Sequence, residues 1–468
     1  MAGPVQQSAL PRDIARAIDP EAMATAFGDF FAREYQGLGL RVRRCEISRV
    51  YHKPGRECTV TYRLRGRDRE GREFDNWFVG RISETGEARE PRSGARPAGD
   101  TGCGFWKPVS HWPELRMQLS AFPYDARLSG LGQLLSPDFI MRQIGQHLPR
   151  FGLSEPWRCE GVECQRIKYR AGKRCVLRYE ARMVDGRGGN RLVVFYGKTY
   201  DDDKSRYVFE MLQQICRSAP CRNGLLQIPE PILHLDGANT LWQRAWEGKR
   251  LVAAGREAGW ENLPSSGWLP GIAAMLAALQ QIELGDAPLK SLPASAALLE
   301  SALEDVADIL AFAPERRAVL ARSIEVLERS APGPGRDLPR STVHGTFKIA
   351  QILCRDSELA LVDFDSIARG DPLHDVAEFL ASVAFLRVSD AVPAEPLARS
   401  AEIFLTCYEA QVPWACDRQR VAWYAVVLLL GKIHSALKKH RSEAGRLDAA
   451  LRVLQEWLDR AEHRGPSA

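Results

Sequence analysis

The chain has 468 residues, of which 45% are apolar and 26% charged. These are ordinary proportions for a globular protein of about two to four domains, and they exclude a disordered, collagenous or low-complexity chain. The 64 Lys and Arg against 59 Asp and Glu leave a net charge of +5. That surplus is too small, with a pI of 8.6, to point to nucleic acid.

Residues 13–35 carry apolar positions at helical spacing, and Asp19-Pro20 predicts the start of a new helix, because proline suits the first turn. Glu57 to Leu64 and Glu73 to Ile82 are rich in β-formers and read as two strands across a polar turn. Residues 84–110 hold many Gly, Pro, Arg and Glu and read as an irregular connection. A helix follows over Ser136 to Leu148, then strands over Gln165 to Tyr169, Cys175 to Met183 and Leu192 to Tyr200.

This order repeats the first. Pro20 matches Pro137, Gly28 matches Gly145, Gly55 matches Gly172, Cys58 matches Cys175 and Tyr62 matches Tyr179, all at an offset of 117 residues. An offset held without gaps points to an internal duplication. The second copy is expected to diverge after Lys198, where Asp201 to Ile215 forms an amphipathic helix; the first has Arg81 at the lysine position and runs into the irregular connection. The acidic triplet Asp201 to Asp203 suits a helix N-terminus. Beyond residue 246 the periodicity predicts helices over 268–282, 295–312, 314–330, 373–387, 397–411, 418–440 and 445–462. One strand–turn–strand island, Ser341 to Ile367, interrupts them.

The N-terminus shows no basic segment followed by an apolar stretch, so no secretory signal is expected. The richest apolar run, Val421 to Gly431, is too short to span a bilayer and reads as a buried helix, so no membrane partner is expected. The 11 cysteines are scattered with no CxxC pair, which indicates neither a zinc site nor a disulfide framework and suits a cytoplasmic protein.

The island carries the chemistry. It contains His344-Gly345-Thr346 and Gln351, then Val362-Asp363-Phe364-Asp365 twelve residues after the glutamine, then GDPLHDVA from Gly370 to Ala377. In this order and spacing the motifs resemble those of the aminoglycoside phosphotransferase and choline kinase family, relatives of the protein kinases. The resemblance covers roughly residues 150–440. It implies an α+β, bilobal protein-kinase-like fold, with an antiparallel-sheet N-lobe over 126–245 and a mostly helical C-lobe over 246–468. Residues 1–125 would form an extra N-terminal α+β domain resembling a degenerate N-lobe.

The resemblance also implies roles. Transfer of the ATP γ-phosphate to a hydroxyl of a small molecule needs charge held in place around the phosphates. Asp363 and Gln351 would ligate Mg²⁺. Lys198 would pair the phosphates, Glu210 would hold that lysine, and the turn around Gly172 would lie over the phosphates. The backbone at Gln243 and Ala245 would meet the adenine. His344, Thr346 and Lys348 lie on the catalytic loop, where His344 reads chiefly as a loop support; Asp375 reads as a brace. The family places an aspartate at position 346, to accept the proton of the substrate hydroxyl. Thr346 cannot do this at neutral pH. The chain is therefore either an unusual kinase acting on a sugar, amino sugar or amino alcohol, or a pseudokinase serving as a nucleotide-binding regulator or scaffold.

Overall fold

A computed structural model describes residues 11–53, 55–83, 106–128, 130–285, 289–333, 339–439 and 444–462. The chain divides into two compact units, Met1–Arg206 with Ile232–Arg244, and Tyr207–Pro231 with Ala245–Ala468.

The first unit holds two copies of one motif. Helices α1 (Arg12–Ala17) and α2 (Pro20–Glu34) precede strands β1 (Arg41–Lys53), β2 (Glu57–Arg67), β3 (Glu73–Ser83), β4 (Val109–Trp112) and β5 (Met117–Ala121). Helices α3 (Leu131–Leu134) and α4 (Pro137–Gln146) precede β6 (Arg158–Arg170), β7 (Arg174–Val184), β8 (Asn190–Tyr200), β9 (Pro231–Leu235) and β10 (Thr240–Arg244). The antiparallel sheets have matching strand orders, β1-β2-β3-β5-β4 and β6-β7-β8-β10-β9. α2 starts where expected: Asp19 caps it by accepting from the Glu21 and Ala22 N–H groups, and Pro20 fills the first turn.

The 117-residue offset survives in three dimensions. Tyr62 donates its hydroxyl to the Ala17 carbonyl at 2.8 Å, and Tyr179 donates to the Leu134 carbonyl at 2.9 Å. Val60 pairs with Gly80, and Leu177 with Gly197. Each of these glycines faces the tyrosine of its own copy, where an added Cβ would come within 3.1 Å and 3.0 Å of the ring.

Two expectations need correction. Only residues 106–110 of the proposed irregular connection fall among the described residues, and β4 already begins at Val109. The first copy then completes its sheet as the second does. In each, a strand, a 3₁₀ turn and a left-handed residue (Arg116, φ 48°; Asn239, φ 44°) lead into the next strand. The copies thus converge again, and the second differs by inserting α5 (Lys204–Arg217) and α6 (Ala219–Arg222).

The copies pack together through one face of the first sheet. Val79 and Trp77 of β3 join the core built by Phe122, Leu131, Ile140, Tyr169, Tyr179, Phe195 and Trp242. A separate aromatic core, with Phe27, Phe30, Phe31, Phe78 and Trp112, fills the first copy.

In the second unit, β11 (Lys249–Arg250) and α7 (Leu251–Ala258) lead to α8 (Trp268–Gln280), α9 (Ser295–Phe312) and α10 (Arg317–Arg329). The island forms β12 (Ser341–Val343), β13 (Ile352–Arg355), β14 (Glu358–Leu361) and β15 (Ala368–Gly370). Strands β13 and β14 make a hairpin joined by β11, and β12 pairs with β15. Helices α11 (Leu373–Ala384), α12 (Leu386–Ser389), α13 (Ala394–Glu409), α14 (Arg418–Lys439) and α15 (Ala444–Glu462) complete it. By length and composition α14 could cross a membrane. Its apolar run is instead buried against α9, α11 and α15, and Trp423 donates its indole N–H to the Leu327 carbonyl at 2.9 Å. Among the described residues all cysteines are free thiols.

Candidate active site: the His344–Gln351 loop and a basic strand face

In the second unit the loop from His344 to Gln351 hangs from Asp375. Its fully buried carboxylate accepts from the His344 N–H at 2.6 Å and the Gly345 N–H at 2.9 Å. Gly345 has φ 76°, and a Cβ there would come within 2.3 Å of the Ser366 carbonyl oxygen, so the turn admits only glycine. The carboxylate of Asp375 is spent on backbone, as its bracing role requires.

Inside the loop the side chains form a chain of hydrogen bonds. A carbonyl can only accept, so His344 donates Nε2–H to Val362 at 3.2 Å. Its bare Nδ1 then accepts from the Thr346 hydroxyl at 3.4 Å. The Thr346 oxygen in turn accepts from the Gln351 amide at 3.1 Å. This leaves the Gln351 Oε1 buried with no hydrogen-bond donor. The Val362 N–H donates to the Gln351 carbonyl at 2.9 Å, which brings the glutamine and Asp363 to the same end of the β13–β14 hairpin. Asp363 has φ 73°, a left-handed conformation uncommon outside glycine. Lys348 is half-buried on the same loop, and its carbonyl accepts from the Gln351 N–H at 2.8 Å.

A divalent cation fits this arrangement on one observation. The orphaned Oε1 is an oxygen acceptor without a partner, and hard cations seek oxygen. Among the described residues no group of three or more His, Cys, Asp or Glu is arranged for a metal. One amide and one carboxylate suit Mg²⁺, which usually takes one or two protein ligands and completes its shell with phosphates and water.

In the first unit, β7 and β8 present two different faces. Cys175, Leu177 and Tyr179 pair with Thr199, Gly197 and Phe195 on the core face. Arg174, Val176 and Arg178 pair with Tyr200, Lys198 and Tyr196, and Gln243 pairs with Tyr196, so Lys198 and Gln243 share the opposite face. This face is basic. Arg170 and Arg174 pair at the β6–β7 turn. Partial burial first, and then the neighbouring Arg49 and Arg174 charges, hold the Arg170 guanidinium below its ordinary value. Gly172 sits in the turn with φ 64°.

Comparison with known proteins agrees with these motifs. Residues 182–408 match the family described as phosphotransferase enzyme family. The matched stretch is just under half of the chain. No curated protein matches the chain. Among solved structures, an amicoumacin kinase in complex with AMP-PNP, Ca²⁺ and Ami is 15% identical, with a TM-score of 0.42, and the match covers 63% of this chain and 88% of that one. A choline kinase from Cryptosporidium parvum is 10% identical, with a TM-score of 0.44, covering 69% and 94%. An aminoglycoside 2'-phosphotransferase in complex with GDP is 15% identical, with a TM-score of 0.40, covering 69% and 97%. The likeness to the phosphotransferase family is carried by residues 182–408, not by these structures.

The residues singled out in the sequence thus fall in two groups. His344, Thr346, Lys348, Gln351 and Asp363 come together on one loop and hairpin of the second unit. Lys198, Gly172 and Gln243 lie in the first. Glu210 is exposed on the part of α5 that belongs to the second unit, as does Ala245 beyond β10. The triplet Asp201 to Asp203 is not a metal cluster: Asp201 pairs with Arg127 and Lys173, and Asp202 accepts from the Lys204 N–H. Sequence reasoning missed Asp125, whose carboxylate accepts from the Gly172 N–H at 2.6 Å. Nothing in the sequence links residues 47 positions apart in this way.

Proposed function

We propose that the protein is a cytoplasmic kinase that transfers the γ-phosphoryl group of ATP, with Mg²⁺, to a hydroxyl of a small molecule such as a sugar, amino sugar or amino alcohol. The observation that carries this reading is the buried, unpartnered Gln351 Oε1 at the hairpin end that also presents Asp363.

In this reading Asp363 and Gln351 hold Mg²⁺, and Thr346 orients the glutamine by accepting from its amide, leaving Oε1 for the metal. Bound Mg²⁺ would supply the neutralising charge that phosphoryl transfer needs. Lys198 and the turn around Gly172 meet the phosphates. The crowding of Arg49, Arg170 and Arg174 supports this, because a cluster of like charges calls for an anion. Gln243 and Ala245 meet the adenine through their backbone, and Glu210 holds Lys198. His344 and Asp375 keep the loop in shape, while Lys348 adds positive charge beside it.

The missing base lowers the expected rate but does not forbid transfer. General-base help is worth about 10²–10⁴-fold, and a loose, metaphosphate-like transition state depends more on positioning and charge. One observation favours the second reading, a nucleotide-binding pseudokinase. The Thr346 hydroxyl is already engaged by both His344 and Gln351. An ATP-turnover screen over sugars, amino sugars and amino alcohols decides between them. Hydroxyl-dependent ADP release supports the kinase; nucleotide binding without release against every acceptor supports the pseudokinase.

A further inference from the structure

We propose that Asp125, in the segment joining the two copies, is a positioning residue for the β6–β7 turn, so that the first copy sets the shape of the turn that meets nucleotide. Its effect on nucleotide rests on the kinase reading; its geometry does not.

One carboxylate gathers three donors. Asp125 Oδ1 accepts from the Arg127 N–H at 2.9 Å, which fixes the side chain against its own backbone. Oδ2 accepts from the Gly172 N–H at 2.6 Å and from the Tyr169 hydroxyl at 2.8 Å. Tyr169 is buried and pairs with Cys175 on the core face. Asp125 therefore reaches the turn from the core side, opposite the face that carries Lys198. It props the turn without occupying the phosphate side.

The segment carrying Asp125 is tied to the first copy. The Phe122 N–H donates to the Trp77 carbonyl at 2.8 Å, and the Asn76 amide donates to the Phe122 carbonyl at 3.1 Å. A second strap runs in parallel: Asp201, just after β8, pairs with Arg127 of the joining segment and with Lys173 of the turn. A turn of sequence Arg-Ala-Gly-Lys-Arg repels itself, and the two acids supply the compensating charge from one side. Charged hydrogen bonds of this kind are strong enough to select one turn geometry.

The test uses the full-length chain with two readouts, hydrogen exchange over residues 170–174 and MgATP affinity by calorimetry. Asp125→Ala is expected to speed exchange in the turn and to weaken MgATP about 10-fold, as loss of a charged hydrogen bond would. In turnover the loss should fall on KM for ATP with kcat unchanged. Asp125→Asn keeps one acceptor oxygen and turns the other into an amide donor, so it cannot serve both Arg127 and the Gly172–Tyr169 pair; it is expected to bind MgATP less tightly than the wild type but more tightly than the alanine variant. If the alanine variant does not fold, Asp125→Ser, too short to reach Gly172, carries the same expectation. A wild type that binds MgATP, with variants unchanged in exchange or in affinity, overturns the positioning role. A wild type that binds no MgATP overturns the kinase reading, and the exchange arm alone then decides whether Asp125 holds the turn.

Discussion

Asp363 is the residue on which conformation and chemistry conflict most openly. A left-handed non-glycine residue costs on the order of 1–2 kcal/mol, and Asp363 holds φ 73° at the start of a 3₁₀ turn. Asp363→Gly is therefore expected to leave stability unchanged or raise it by up to about 1 kcal/mol, read by urea denaturation. The same variant should lose Mg²⁺-dependent nucleotide binding. At Thr346 the expectation runs the other way. Aspartate there would still accept from the Gln351 amide and would add the missing base, so Thr346→Asp should raise turnover by about 10²–10⁴-fold. An unchanged rate would show that the base does not limit the native protein. Asp363 and Gln351 stand out in the sequence by their twelve-residue spacing, and the β13–β14 hairpin brings them to one end. Asp125 does not stand out, because its partners are set by how two distant segments pack.

Strands show where pattern reading succeeds and fails. β7 alternates buried and half-exposed residues and was read from its sequence. β1 was missed: as an edge strand with exposed Arg41, Arg43, Arg44 and Arg49, it offers little alternation. β4 and β5 were missed because they are short and follow a polar segment. The two tyrosine hydrogen bonds anchor each helical segment to its sheet, so Tyr62→Phe and Tyr179→Phe should each cost about 1–2 kcal/mol by leaving a buried carbonyl unpaired. Between helices, the Arg256–Asp390 pair links α7 to the end of α12. Burial pushes the Asp390 carboxyl up, but Arg256, Ser389 and Trp260 outweigh it and hold the carboxyl below its usual value. A depressed folded value means that the pair's contribution is present above the unfolded pKa of about 4 and is lost as pH falls through the folded value. Asp390→Asn should thus be less stable than wild type at pH 7 by up to about 1 kcal/mol, with the difference closing on acidification.

At the scale of the molecule, the first unit owes its length to two sheets of the same strand order, as an internal duplication would give. The offset was visible in the sequence because glycines, prolines and tyrosines with fixed structural tasks resist drift. What the sequence did not reveal is how the copies meet. In the first copy the strand face equivalent to the Lys198 face carries Trp77 and Val79, and it is used for packing against the second. Arg166 of β6 sits at this junction, its guanidinium 4.5 Å from the Phe122 ring centre and 5.4 Å from that of Trp77, and burial pulls it down to about 10. Loss of this contact area should be felt in both copies. Trp77→Ala is expected to cost about 2–3 kcal/mol and to speed hydrogen exchange in β6 and β7 as well as in β3. A change confined to the first sheet would mean that the copies are independent.

The proposed function requires this chain to bind MgATP through Asp363. Calorimetric titration of MgATP into the full-length protein and into Asp363→Ala tests it most directly. The expected result is saturable binding to the wild type that requires Mg²⁺ and disappears in the folded variant. Binding that is equal in both proteins, or absent from both, would contradict it.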